Sequence, residues 1–278
     1  DDSARARKQV AAGAYGVAAP GYDREPLRFF SIGARRLVEF AALEEASVVL
    51  DVATGTGGLA LAAARAVGDG GRVVAIDLAE AMIERAREKA SRAGVGNVDF
   101  SVMDGDSPDF PGAAFDAVLS SCGVFFMPDM RATLGRWASL IRPGGVVAFS
   151  ALGESSLQPM TDLFEDRIRN FGLVMPPRKR PFPWQRLTDP SSCRSLLDGA
   201  GLRDVAVASE RHGYSLSGPD EWWDVVWNSG FRGLLDQLSP EGLEEFKAQH
   251  MKEIGVISRK GDLWLNIDLI LARGTRAG

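Results

Sequence analysis

Between Ser47 and Phe149, short apolar runs alternate with stretches whose apolar residues recur every three or four positions. That alternation predicts βαβ units feeding a parallel sheet. Ser47–Val52 reads as a first strand and Leu59–Val67 as the helix after it. The turn Gly68-Asp69-Gly70-Gly71 leads into a second strand, Arg72–Asp77, and a second helix runs from Ala79 to Ala93, stopped by Gly94. Val98–Val102 and Phe115–Ser120 predict the third and fourth strands. Met130–Leu140 predicts a helix, Arg142–Gly145 a turn and Val146–Phe149 a fifth strand. Ahead of this block, residues 1–20 are Ala/Gly-rich and read as a loose or cap-forming leader. From Glu25 to about Leu43, the apolar positions Leu27, Phe30, Ala34, Leu37, Val38 and Ala41 have helical spacing.

After Ser150 the alternation loosens. Helices are predicted over Leu157–Phe171, Ser191–Ala200, Pro219–Leu238 and Pro240 to about Ile254. Met175–Pro183 reads as a Pro-rich basic loop, Val205–Ser209 as a sixth strand and Leu263–Leu271 as the last. The whole is one elaborated α/β domain over 1–278. Residues 1–43 form an N-terminal helical cap, 44–152 a core, and 153–278 cap helices with the C-terminal strands.

Composition narrows the class. With 45% apolar and 25% charged residues the chain can bury a sizeable core without staples. Two cysteines, Cys122 and Cys193, make no disulfide framework, and no Cys/His spacing suits zinc, so no metal is expected. A net charge of −5 argues against binding nucleic acid through its phosphates. No apolar run reaches the length of a membrane span, and the opening residues lack the apolar core of a signal peptide. A cytoplasmic protein, as monomer or homodimer, with no nucleic-acid or membrane partner, is the expectation.

The chemistry concentrates where the first strand meets its helix, at Asp51-Val52-Ala53-Thr54-Gly55-Thr56-Gly57-Gly58. Glycines at 55 and 57 let backbone approach a ligand, and the helix N-terminus presents unpaired N–H groups. Asp77 closes the second strand at the distance where an acid accepts from ribose hydroxyls. Together they predict a nucleoside-cofactor site. Gly55-Thr56-Gly57-Gly58-Leu59-Ala60 also fits the dinucleotide pattern, which keeps an NAD(P)-dependent oxidoreductase as an alternative. Against it, Asp51 would oppose a pyrophosphate but suits a ligand with an ammonium and a sulfonium, unless it is simply a solvated strand-end acid. No Tyr-x-x-x-Lys constellation accompanies the turn.

Val49-Leu50-Asp51-Val52-Ala53-Thr54-Gly55-Thr56-Gly57 resembles the first motif of class I S-adenosylmethionine methyltransferases, of the small-molecule type like the quinone-biosynthesis enzymes. Further segments resemble that family in order: Ala75–Met82, Val102-Met103-Asp104-Gly105-Asp106, Phe115–Ser121 and Leu140–Gly145. The likeness covers about residues 20–150. It departs at Thr54, where Cys or Gly is common, and at Asp104-Gly105-Asp106-Ser107-Pro108, which lacks the Ala and Leu-Pro common in the group. It implies a Rossmann-like seven-stranded, mostly parallel sheet with its last strand antiparallel. It also implies S-adenosylmethionine as cofactor, held by Tyr22, Asp51, Ala53, Gly55, Thr56, Gly57, Asp77, Leu78, Met82, Asp104, Gly105, Ser120 and Ser121. Within that set, Asp77 would take the ribose, Asp104 the adenine amine, and Tyr22 would close over the methionine end.

Methyl transfer from a sulfonium demands alignment and exclusion of water more than covalent help. Of the two histidines, His212 and His250, the second is the candidate base because cap elements usually roof the acceptor pocket; either also fits a surface or helix-end histidine. Phe29, Phe126, Trp184, Trp223 and Trp227 are candidates for an apolar acceptor pocket. Trp223, Trp227 and Phe231 equally form a stripe that helices use for core packing. Arg178-Lys179-Arg180 reads as a solvated loop, or as a lid for an anionic acceptor. A scaffold that holds the cofactor without methylating remains the alternative from outside the enzymes.

Overall fold

The computed structural model describes residues 2–173 and 182–278. Its first element is a helix, α1 (Asp2–Ala18), so the leader is ordered cap rather than loose chain. A second helix, α2 (Phe29–Ala41), presents Phe29, Ala34, Leu37, Val38 and Ala41 to the interior. The βα alternation then runs as predicted: β1 (Val48–Val52), α3 (Gly58–Val67), β2 (Arg72–Asp77), α4 (Glu80–Arg92), β3 (Val98–Val102), β4 (Phe115–Ser121), α5 (Met130–Leu140) and β5 (Ile141–Leu152). The C-terminal part adds α6 (Met160–Asn170), α7 (Pro190–Gly199), β6 (Arg203–Leu216), α8 (Pro219–Trp227), α9 (Arg232–Leu235), α10 (Pro240–Lys260) and β7 (Leu263–Thr275).

The seven strands lie in the order β3-β2-β1-β4-β5-β7-β6. All pairings are parallel except those of β7, which is antiparallel to both β5 and β6. Sequence order reverses between β1 and β4, and there the loops on the carboxyl side of the sheet part to leave a crevice. Val49, Leu50 and Val52 of β1 are buried because helices cover both faces of the sheet. Two apolar clusters result. The larger unites Leu50, Val118, Phe149 and the aromatic residues of the cap. The second packs Leu37, Val49, Ala60, Ala63 and Leu119 under α2 and α3.

Helix starts follow capping chemistry: Asp129, Asp189 and Ser239 each accept from a backbone N–H of the helix they precede. Of the predicted boundaries that change, three have a clear local cause. The residues read as a turn, 142–145, lie inside β5 as a bulge, with the register against β4 shifting between Phe115 and Ala117. The helix predicted over Pro219–Leu238 is broken after Trp227 by Asn228-Ser229-Gly230, poor helix formers in succession. The sixth strand is longer than predicted, since β7 pairs with it from Leu216 to Arg203, with a register shift between Arg203 and Ala206 where Asp204 adopts a φ of 49°.

Candidate functional site

At the crevice between β1 and β4 lies a cavity of about 550 Å³, within the range of small-molecule and cofactor sites. Its floor at one end is the β1–α3 turn. Gly55 and Gly57 have φ of 55° and 80°, conformations that β-carbons resist, and a Cβ on Gly57 would stand 3.0 Å from that of Ala86. Beside the turn, Asp77 accepts from the amides of Gly55 (2.8 Å) and Ala79 (2.9 Å). Burial pushes its carboxyl above the ordinary range, opposed by those amides. Leu78 and Met82 continue this wall, followed by Asp104 and Gly105, whose carbonyl accepts from the Trp137 indole at 2.8 Å.

The roof comes from α1. Lys8, Ala11, Ala12 and Tyr15 face the cavity, and the Lys8 ammonium bridges Asp104 and Asp106 at 2.8 Å each. Asp106 is also bound by Thr133 and Arg136. Its carboxyl sits below the ordinary range: burial would raise it, but Lys8 and Thr133 outweigh that effect. Tyr22 stacks on Phe30 at 4.5 Å with its ring edge over Gly55. The far end is aromatic, walled by Phe29, Phe30, Phe125, Phe126, Phe182, Trp184 and Phe231.

Of the residues singled out from sequence, Tyr22, Ala53, Gly55, Asp77, Leu78, Met82, Asp104, Gly105, Ser121, Phe29, Phe126 and Trp184 share this one cavity. Others stand behind it. Asp51 is fully buried and accepts the Thr54 hydroxyl at 2.6 Å, so it braces the turn from beneath; burial lifts it to about 7 against that hydrogen bond. Thr56 binds Asp23 at 2.8 Å, Gly57 opens α3, and Ser120 is buried beneath Gly123.

The expectation for His250 is corrected. It is fully buried in the cap, its Nε2 accepts from the Trp222 indole at 2.8 Å, and Phe164 and Phe246 pack on it. Burial, against the pull of Glu253, lowers it to about 4. A base locked to an indole N–H away from the cavity cannot touch an acceptor. His212 pairs with Glu210 on β6, also away from the site. Trp223 and Trp227 stack on each other outside the cavity, with Arg232 over Trp227, because α8 ends at Trp227 and Phe231 alone turns inward. Arg178-Lys179-Arg180 lies outside the described residues.

Sequence reasoning placed residues 1–43 in a helical cap but named no site residue on α1, although Lys8, Ala11, Ala12 and Tyr15 stand at i, i+3, i+4 and i+7, the spacing of one helical face. It also missed Cys122, Gly123, Arg186, Ser229 and Gly230, which reach the wall from separate turns. No group of metal-ligating residues occurs among the described residues.

The donor set suits a nucleoside without a phosphate: a pyrophosphate along this wall would meet Asp77 and Asp104, with Lys8 already paired. A doubly wound sheet, a Gly55–Gly57 turn and a strand-end acid in one crevice form a Rossmann-like nucleoside-binding site. Comparison with known proteins agrees. Residues 49–145 match the family described as Methyltransferase domain. Aklanonic acid methyltransferase of Streptomyces sp. (strain C5) is 39% identical over 145 residues, 52% of this chain and 66% of that protein. Nocamycin O-methyltransferase of Saccharothrix syringae is 37% identical over 129 residues, 46% of each chain. A ubiquinone/menaquinone biosynthesis C-methyltransferase of Hydrogenovibrio crunogenus is 32% identical over 138 residues, 48% of this chain and 54% of that one. The matches thus span between 46% and 66% of these relatives' lengths. In fold, the chain is similar to the YcgJ protein from Bacillus subtilis (TM-score 0.59, 18% identity, 89% of this chain and 99% of that one). It is also similar to the [4+2]-cyclase SpnF (TM-score 0.54, 18% identity, 88% and 81%).

Proposed function

We propose that the chain transfers a methyl group from S-adenosylmethionine to a flat or apolar small-molecule acceptor by in-line displacement. The observation that carries this reading is the continuity of the cavity: the nucleoside wall of Asp77, Asp104 and Gly105 runs directly into the aromatic end around Phe29, Phe126 and Trp184. A methyl donor and its acceptor must lie end to end, and this cavity has that form.

In this reading Asp77 accepts from the ribose hydroxyls, Asp104 and Gly105 border the adenine, and Ala53, Gly55 and Tyr22 enclose the methionine end. The bound cofactor supplies a methyl group on a positively charged sulfur. The aromatic walls and the α1 roof hold the acceptor in line and keep water away. Functionally, residues 1–43 and 153–278 act as cap around the cofactor core of 44–152. Among the described residues no helix is long and apolar enough to cross a membrane. We place the protein in the cytoplasm, as monomer or homodimer, with no nucleic-acid partner.

A second reading has one observation behind it: a [4+2]-cyclase shares the fold, so the fold can serve a non-methylating descendant. Calorimetric titration with S-adenosylmethionine, S-adenosylhomocysteine and NADH, followed by acceptor turnover, separates these. Micromolar binding of the first two with S-adenosylhomocysteine formed on turnover supports methylation. Binding without turnover on any acceptor favours the second reading, and binding of NADH alone overturns both.

A further inference from the structure

Resting on the methyltransferase reading above, we infer that Tyr15 orients the acceptor and that the acceptor is an oxygen acid already ionised when it binds: a carboxylate, or an acidic enol or phenol. Tyr15 projects from α1 into the middle of the cavity. Its ring meets Phe126 edge-on at 5.4 Å and Tyr22 at 6.1 Å, so it stands where the cofactor end gives way to the aromatic end. Among the described residues the Tyr15 hydroxyl has no hydrogen-bond partner. A Cβ on Gly230 would lie 2.8 Å from that oxygen, so the glycine leaves the room the hydroxyl occupies.

Among the described residues the Trp184 indole N–H and the Ser229 hydroxyl also stand in the wall without a partner, while the other charged and acidic groups are committed elsewhere. Lys8 bridges Asp104 and Asp106. Both oxygens of Asp77 receive backbone amides. The Arg186 guanidinium donates to the carbonyls of Phe125, Met127 and Pro128. Burial raises the Cys122 thiol to about 11. Burial and the nearby Cys122 and Asp77 push Tyr15 well above its ordinary value, so its hydroxyl donates a hydrogen bond and takes no proton. Both histidines lie outside the cavity.

No described side chain is therefore placed to deprotonate a neutral acceptor near pH 7, and the nucleophile brings its own negative charge. Such an anion, flanked by phenyl rings, needs donors; the Tyr15 O–H, at the junction of the two ends, supplies one, with the unpartnered Trp184 N–H and Ser229 O–H in the same wall. An acceptor-oxygen lone pair forms the new O–C bond to the methyl carbon while the S–C bond breaks, its electron pair remaining on sulfur. The acceptor becomes a neutral methyl ester or ether, the sulfonium becomes a thioether, and no proton moves.

Two probes with one ring system test this: anthraquinone-2-carboxylate and 2-(hydroxymethyl)anthraquinone. Their binding to the S-adenosylhomocysteine-loaded protein is measured by titration, and their methylation with S-adenosylmethionine by mass between pH 6 and 9. The carboxylate should bind and be esterified with kcat/KM flat across that range. Tyr15→Phe should weaken its binding roughly 10-fold or more, with S-adenosylhomocysteine affinity and Tm unchanged. Gly230→Ala, which displaces the hydroxyl without removing it, should weaken it too. The inference is overturned if the carboxylate does not bind, if Tyr15→Phe leaves its Kd unchanged, or if the alcohol is methylated in preference. Failure to bind S-adenosylhomocysteine at all would fall on the methyltransferase reading itself and take the inference with it.

Discussion

Asp77 shows how much a single side chain carries. It closes β2, ties down the β1–α3 turn through the Gly55 amide, and turns the rest of its carboxylate to the cavity. Asp77→Asn keeps the shape and loses the charge. Hydrogen bonds to a charged group contribute about 1.5–3 kcal/mol, so S-adenosylmethionine should bind about 10- to 100-fold more weakly in a titration. An unchanged Kd would remove Asp77 from the ribose. Asp51 looks equally prominent in the sequence, yet it works from beneath the turn through Thr54. The residue pattern revealed that both acids belong to the site but not which one faces the ligand, because that depends on which pleat of β1 the neighbouring strands leave open.

At the scale of elements, the strand–turn–helix units from β1 to β5 were legible because each strand is a short apolar run and each helix has its own period. What escaped the reading was set by partners distant in sequence. The α1 helix is Ala/Gly-rich and weakly amphipathic, so its role as roof depends on Lys8 reaching Asp104 and Asp106, about a hundred residues on. The turn of Phe231 into the cavity, while Trp223 and Trp227 stack in the core beside it, depends on the break after α8. The Lys8 bridge yields a prediction at this scale. Lys8→Met should free α1 and speed S-adenosylhomocysteine release several-fold in stopped-flow measurements. Raising salt should narrow the gap between wild type and variant, as the ion pair is screened. Equal release rates at low salt would show that the bridge does not hold the roof.

For the molecule as a whole, the cap coheres around His250, which joins Trp222 of α8 to α10 and packs on Phe164 of α6. The folded chain holds this imidazole at about 4, whereas the unfolded chain takes up its proton near 6.5. The groups facing it are Glu253, which favours protonation, and Arg167, which opposes it and itself pairs with Glu253. As pH falls the unfolded state protonates first, so this stability is present above pH 6.5 and lost between 6.5 and 4, about 3 kcal/mol in all. Urea unfolding across that range should show the loss, and His250→Ala should remove that part of the pH dependence. The variant should also be destabilised by roughly 2–4 kcal/mol through the cavity and the orphaned indole N–H, while its affinity for S-adenosylmethionine stays the same.

The shift in register at Arg203–Ala206 bears on behaviour in a crowded medium. A sheet that does not close has two raw borders, and each can template strand addition by another molecule. Here one border is β3, only five residues long and carrying the Arg72–Asp99 ion pair beside it. The other is β6, fourteen residues long and therefore the greater hazard. The irregularity at Asp204 distorts the start of that border, and Glu210 and Arg211 place charge midway along it. A feature with no part in binding thus interrupts the longest edge strand among the described residues, which lowers its capacity to template strand addition.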